Sequence, residues 1–215
     1  YKRQALHNRK IEVYALLGAV EWGYEEDGAT LLAHLEKIVQ YNVQSSDKEK
    51  FDGVMLDIEP YISDSWKENP EEYMDRYISC MKKGYKFAQK NHLRTAICIP
   101  RHYDNQGLTS GLEELIKETC DEVAVMNYSC GNEIEAIRTE AALSEKYGKE
   151  LHCILEFQEV GKHGLTENKT YRNKGIDNAK ETWEKLQKEY KNINVTRDYH
   201  WSRPVREMLE EKNAD

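Results

Sequence analysis

Six apolar runs separated by amphipathic helical stretches predict an α/β protein of β/α units around a parallel sheet. The count of units refines this. A (β/α)8 barrel usually takes about 250 residues, whereas this chain has 215 and shows six units. The expected fold is therefore of the (β/α)8 TIM-barrel type with the first two β/α units absent from this chain, or an open sheet that needs cover. A doubly wound α/β sheet would show the same alternation. Against it, no G-x-G-x-x-G or Walker loop follows any strand, and Gly18 and Gly23 stand alone.

The strands are expected, in order, at Ile11 to Leu17, Gly53 to Ile58, Thr95 to Ile99, Glu122 to Asn127, Leu151 to Phe157 and Asn194 to His200. Between them, apolar residues recur at three- and four-residue steps. Leu31, Leu32, Leu35, Ile38 and Val39 form one helical stripe, and Tyr73, Tyr77, Met81 and Tyr85 a second. Later stripes run through Leu112, Leu115 and Ile116, through Ile134, Ile137 and Ala141, and through Ile176, Ala179, Trp183, Leu186 and Tyr190. Asn69-Pro70-Glu71-Glu72 offers a cap, a first-turn proline and acids against the helix dipole. Ser110 with Glu113 has the spacing of a capping box. No Gly-, Ser- or Pro-rich linker interrupts the pattern, so residues 1–215 are expected to form a single, partial barrel domain. The polar stretch Val160 to Lys174 is the one long irregular segment, either a functional loop or a loose surface one.

Charged residues make up 33% of the chain and the net charge is -8; mean hydropathy is -0.85 and the pI about 5.5. An acidic chain without a basic cluster argues against nucleic acid as the main ligand, and no apolar run approaches the ~20 residues of a membrane span. The five cysteines are widely spaced with no C-x-x-C pair, so they read as small buried hydrophobes and not as a disulfide framework or zinc site. Cys130 follows a strand on the side where a site would lie, but no nearby histidine is placed to activate it. The histidines His7, His34, His152 and His163 lack ligand spacing such as H-E-x-x-H, so no catalytic metal or other cofactor is expected. The chain opens at Tyr1 without a methionine or a signal-peptide layout, which suggests a removed start or a fragment and leaves the compartment unread. Sequons stand at Asn127, Asn168 and Asn194.

The most informative stretch is Phe51 to Pro60, where two carboxylates sit two residues apart at the end of an apolar run. On a strand, Val54, Leu56 and Ile58 would face one way and Met55, Asp57 and Glu59 the other. If the second set faces a barrel interior, the acids emerge at the C-terminal mouth, where barrel enzymes place their chemistry. Acids that merely face water or cap the next helix are the plainer alternative.

This segment resembles the D-G-x-D-x-D-x-E signature of the family 18 glycoside hydrolases, the chitinase-like barrels: Asp52, Gly53, Asp57 and Glu59 fall on it, and Met55 replaces the middle acid. Ala15-Leu16-Leu17-Gly18-Ala19 is similar to a degenerate version of the family's S-x-G-G strand, third in the barrel. Met126-Asn127-Tyr128-Ser129 is similar to its M-x-Y-D strand, with Ser129 in place of the acid, and Tyr199-His200-Trp201 stands where the last strand supplies a tryptophan. The resemblance covers the chain in order.

It implies a glycoside hydrolase-like protein acting on a carbohydrate, with Glu59 as general acid and Asp57 and Tyr128 orienting the sugar's 2-acetamido group, whose oxygen is the nucleophile. Trp201, Glu156, Arg101, Asn127 and Trp22 are the candidate substrate contacts, and the setting implied is extracytoplasmic. Loss of acids at Met55 and Ser129 puts substrate-assisted turnover in question. A barrel that binds sugar without cleaving it, and a glycosidase using Glu156 as a second carboxylate, are the alternatives. Tyr128 can also be read as a core tyrosine, Glu156 as a strand end in water, and Arg101 with His102 as scaffold. Trp22, Trp66 and Trp201 follow strands and could stack on sugar rings, whereas Trp183 lies on a helix stripe and reads as core. Oligomeric state is not legible.

Overall fold

A computed structural model describes residues 2 to 212. The chain divides into two compact units: one formed by residues up to Ile99 together with Tyr103–Glu122, the other by Pro100–His102 and the chain from Val123 onward.

The first unit runs α1 (Lys2–His7), β1 (Tyr14–Leu17), α2 (Ala29–Gln44), β2 (Gly53–Leu56), α3 (Asp64–Glu68), α4 (Pro70–Lys90), β3 (Arg94–Pro100) and α5 (Thr109–Thr119). The three strands pair in parallel and in chain order, with Tyr14 opposite Gly53 and Gly53 opposite Arg94. Both faces of β2 obey the expected alternation. Val54, Leu56 and Ile58 are buried under the helices, while Met55, Asp57 and Glu59 are only partly covered. Leu31 and Leu35 of α2 and Tyr77, Met81 and Ala88 of α4 are fully buried and supply the helix layer.

Two glycines set how closely the strands can approach. A Cβ on Gly53 would lie 2.6 Å from the Arg94 carbonyl oxygen and 2.8 Å from the Tyr14 ring. Tyr14 therefore lies across the bare Gly53 backbone and donates to Glu122 at 2.6 Å, and Arg94 meets the same carboxylate at 2.7 Å. At Gly18, just past β1, a Cβ would sit 1.8 Å from the Asp57 carbonyl oxygen. The Asp57 N–H donates to Leu17 O at 2.8 Å, so β1 and the acidic end of β2 are locked backbone to backbone.

The first strand begins at Tyr14 and not at Ile11. Lys10 adopts a left-handed φ of 59° and the Ile11 N–H turns back to Leu6 O at 3.1 Å, leaving Ile11 exposed. Asp52, the first acid of the motif, serves this junction: its Oδ2 accepts from the Val13 N–H at 2.7 Å and meets His7 Nε2 at 2.9 Å. His7 Nδ1 is 2.8 Å from Lys48 O. With an acceptor on each nitrogen the imidazolium form is favoured, and the Asp52 hydrogen bond, then the Lys48 carbonyl, raise the His7 pKa above its ordinary 6.5. A raised folded-state pKa means that this contribution is complete below the unfolded value and is lost as pH rises through the folded one. The melting temperature of wild type relative to His7→Gln is accordingly expected to be higher at pH 6 than at pH 9, converging on the alkaline side; a gap independent of pH would contradict the latch.

Helix starts differ from the expected capping. Asn69 precedes α4, but its amide bonds the Glu72 side chain at 2.7 Å and caps no backbone N–H. Ser110 falls inside the first turn of α5, which starts at Thr109 after Leu108, so no capping box forms. Trp66, on the short α3, is 3% exposed and stacks on Tyr103 at 5.6 Å. It is a core residue and not a sugar platform.

The second unit runs β4 (Glu122–Met126), α6 (Glu133–Ala136), α7 (Arg138–Tyr147), β5 (Glu150–Glu156), α8 (Ile176–Glu189), β6 (Val195–His200) and α9 (Ser202–Lys212). The stripe through Ile134, Ile137 and Ala141 is split between α6 and α7 because Ile137 leaves the helical region, at φ -125° and ψ 20°. β5 and β6 are parallel, from Leu151 opposite Val195 to Glu156 opposite His200. Trp183 is 1% exposed as a core residue, and its indole N–H donates to Cys153 O at 2.9 Å. Phe157 and Tyr199 pack with it in one aromatic cluster.

The irregular Val160 to Lys174 segment is tied down. The Tyr171 N–H donates to Glu156 O at 2.8 Å, Asn168 O accepts from the Cys130 N–H at 2.8 Å, and the Tyr171 hydroxyl bonds Glu133 and Thr182. All five cysteines are free; four are buried and Cys130 is partly buried. Burial, then the Glu133 charge, pushes the Cys130 thiol up to about 11, the opposite of an activated nucleophile. No helix among the described residues is long and apolar enough to cross a membrane.

Candidate functional site

In the first unit the candidate acids stand directly after β2. The strand delivers Asp57 and, past buried Ile58, Glu59 on the same face. Pro60 then starts a tight turn through Ile62 that the Tyr24 hydroxyl fastens by donating to Pro60 O at 2.8 Å. Glu59 Oε2 accepts a hydrogen bond from the Tyr61 hydroxyl. Tyr61 packs edge-on against Tyr103 at 5.9 Å. Its pKa is raised by burial first, then by Glu59, with Tyr103 and Asp57 adding to the effect. Both carboxylates thus act on one phenol. Tyr103 is itself buried, and burial followed by the Glu59 charge raises its pKa well above the usual phenol value. The Tyr61 bond occupies Glu59 Oε2 as an acceptor.

In the second unit three side chains come together from the C-terminal ends of three strands: Tyr128 two residues past β4, Glu156 at the end of β5 and His200 at the end of β6. Glu156 is 2% exposed but fully engaged. Its Oε1 accepts from the Phe157 and Gln158 N–H groups, each at 2.8 Å, and its Oε2 lies 2.8 Å from His200 Nδ1 and 3.2 Å from Gln158 Nε2. Burial alone would raise its pKa, yet the His200 and backbone donors together outweigh burial and hold the carboxyl below the usual value. The strand end therefore does not lie in water. The His200 ring is tilted against Tyr128 at 5.8 Å. A second pair lies on the same face one step back, His152 Nδ1 to Asp198 Oδ2 at 3.0 Å.

The remaining candidates are placed variously. Trp201 is 45% exposed and lines a cleft of about 140 Å³ with Phe157, Gln158, Arg172 and Arg203. Trp22 is partly buried, with its ring 4.5 Å from His34. Arg101 is partly buried in the turn after β3. Asn127 is 1% exposed and its amide donates to Glu133 O at 2.9 Å, so it serves the backbone between β4 and α6. His200 and Tyr61 are the site residues that sequence reasoning missed. For His200 a signal existed: it shares a face with Thr196 and Asp198 on an alternating strand and ends level with Glu156.

No protein-family profile matches the chain, and no curated protein sequence matches it. Among solved structures, dihydropteroate synthase from Anaplasma phagocytophilum with bound 6-hydroxymethylpterin-monophosphate matches with a TM-score of 0.56 at 10% identity, over 94% of this chain and 73% of that one. Catalytic domain 2 of the Group II chitinase of Ostrinia furnacalis matches with a TM-score of 0.43 at 14% identity. A point mutant of it in complex with penta-N-acetylchitooctaose gives 0.45 at 15%. The chain spans about half the length of these chitinase chains, 47% in each case. The synthase likeness shows the fold alone: an α/β chain of the TIM-barrel type, its parallel strands each leading into helical structure.

Proposed function

We propose that this chain is glycoside hydrolase-like and acts on a carbohydrate, an N-acetylated amino-sugar glycoside, with Glu59 as general acid. The observation that carries the reading is the emergence of Asp57 and Glu59 together from β2, both bearing on the Tyr61 hydroxyl. In this reading Glu59 Oε1 gives its proton to the glycosidic oxygen as the bond to the anomeric carbon breaks. The substrate's acetamido oxygen bonds that carbon from the other side. Asp57 orients the acetamido group, an assignment that rests on the resemblance of its segment. Glu156 is better suited to hold His200 than to attack carbon, since its oxygens already accept four hydrogen bonds.

Release of the aglycone from aryl β-N-acetylglucosaminides and cleavage of chito-oligosaccharides, each compared with Glu59→Gln, test the proposal. Hydrolysis by wild type that the variant loses supports it. A second reading, a barrel that binds sugar without turnover, is favoured by Met55 and Ser129, where the resembled family has acids. Saturable chito-oligosaccharide binding with no hydrolysis would select it.

A further inference from the structure

The second unit contains a cavity that the proposed sugar chemistry leaves unused. Its volume is about 730 Å³, a size typical of small-molecule sites. It lies between α6 with the loop before it, the end of the irregular segment at Tyr171 and Lys174, and one face of α8. Asn178, Thr182 and Lys185 share that face, since residues three and four apart on a helix are neighbours. The buried part of the lining centres on a carboxylate. Glu133 is 8% exposed, and its Oε1 accepts from the Gly131 N–H at 2.8 Å and from the Tyr171 hydroxyl, which is 2.8 Å from Thr182 Oγ1. These bonds hold the side chain through one oxygen. Oε2 accepts no hydrogen bond among the described residues. A carboxylate more than nine-tenths buried thus keeps half of its acceptor capacity for the cavity, where a charged donor is its best partner.

An opposite charge borders the same space. Lys174 lines the cavity, is exposed and makes no ion pair among the described residues. The Cys130 thiol, also on the lining, feels both charges: after burial, the Glu133 carboxylate raises its pKa and Lys174 opposes the rise. Carboxylate and ammonium therefore face one cavity without closing on each other. The second acid of α6, Glu135, is taken up by Arg138, and Glu189 lies about two turns beyond Thr182 on α8. We infer that this cavity binds a small zwitterion of the amino-acid type, its ammonium on Glu133 Oε2 and its carboxylate toward Lys174. A simple amine would leave the lysine unmatched, and a simple acid would have to enter beside a buried carboxylate. One molecule carrying both charges satisfies both sides. The amide oxygens of Asn132 and Asn178, which also line the cavity, can accept the remaining ammonium N–H groups. All of these residues belong to the second unit, so the inference stands apart from the role proposed for Glu59.

Calorimetric titration of the chain with each of the free amino acids tests this, followed for the tightest of them by its methyl ester and its N-acetyl derivative. The parent is expected to bind saturably. N-acetylation, which removes the ammonium, should abolish binding, and esterification, which removes the carboxylate, should weaken it about 2- to 5-fold, the worth of an exposed ion pair. Glu133→Gln keeps an oxygen for the Gly131 N–H and the Tyr171 hydroxyl but removes the charge. It should lower the association constant about 10- to 100-fold, as expected for a hydrogen bond to a charged group. Lys174→Ala should weaken the parent as much as esterification does and leave the ester unaffected. Asn178→Trp, at an exposed helix position, should fill the cavity and block binding with an unchanged thermal melt, which decides the matter even where Glu133→Gln fails to fold. The inference is overturned by the lack of saturable binding of any free amino acid, by an ester or N-acetyl derivative that binds as well as its parent, or by binding that survives Asn178→Trp undiminished.

Discussion

Glu59→Gln is expected to lower kcat on chito-oligosaccharides by about 10²- to 10⁴-fold, the usual worth of a positioned general acid, with KM changed far less. The side-chain amide keeps an oxygen that can accept from the Tyr61 hydroxyl, so the local packing is retained. Glu59 makes no ion pair among the described residues, and the variant should unfold within about 1 kcal/mol of wild type, as partly exposed substitutions outside packed networks do. Steady-state kinetics beside a thermal melt checks this. Equal activity in the two proteins removes Glu59 from the chemistry. A matching collapse of the melt would instead make it a structural residue.

Gly18→Ala should produce the largest structural effect of any single methyl group in the first unit. The added Cβ would lie 1.8 Å from the Asp57 carbonyl oxygen and 2.4 Å from its carbonyl carbon, and the obstacle is backbone, which cannot swing aside as a side chain can. Relief requires β1 and the end of β2 to separate by more than an ångström, at the expense of the Asp57 N–H to Leu17 O bond. Overpacking of this kind costs about 1–3 kcal/mol or more, a fall in Tm of about 2–4 °C per kcal/mol at this chain length. Because Asp57 moves with its carbonyl, turnover should drop by about 10²-fold even in the fraction that folds, as expected for catalytic groups displaced by 1 Å. A variant with wild-type melt and turnover would show that the two backbones are not in contact in solution.

The strands were legible because parallel-sheet strands read as short continuous apolar runs; five of the six start within one residue of expectation. β1 is the exception, and its fault is instructive: Ile11 and Val13 look like strand, but the turn at Lys10 and the Asp52 carboxylate take their backbone first. The face carrying Asp57 and Glu59 was equally legible, since alternation alone assigns it. The hydrogen-bonded partners were not. Tyr61 reaches Glu59 only because Pro60 turns the chain, and His200 meets Glu156 only through the register of β5 and β6, forty-four residues apart in sequence. Trp66 was misread because position after a strand says nothing of depth, and α3 folds it inward onto Tyr103. Asp52, placed by motif among the acids, is spent on Val13 and His7. Helix α9 was overlooked, although Val205, Met208 and Leu209 carry its apolar spacing and Pro204 and Met208 are buried.

As the proposed general acid, Glu59 has to meet the glycosidic oxygen of an N-acetylated amino-sugar chain. A crystal structure of Glu59→Gln with a bound chito-oligosaccharide addresses it most directly. The expected result is a sugar spanning the end of β2 with the residue 59 amide about 2.6–3.2 Å from a glycosidic oxygen and the adjoining acetamido group turned toward Asp57. Chito-oligosaccharide bound elsewhere on the chain, with no glycosidic oxygen near residue 59, would contradict it.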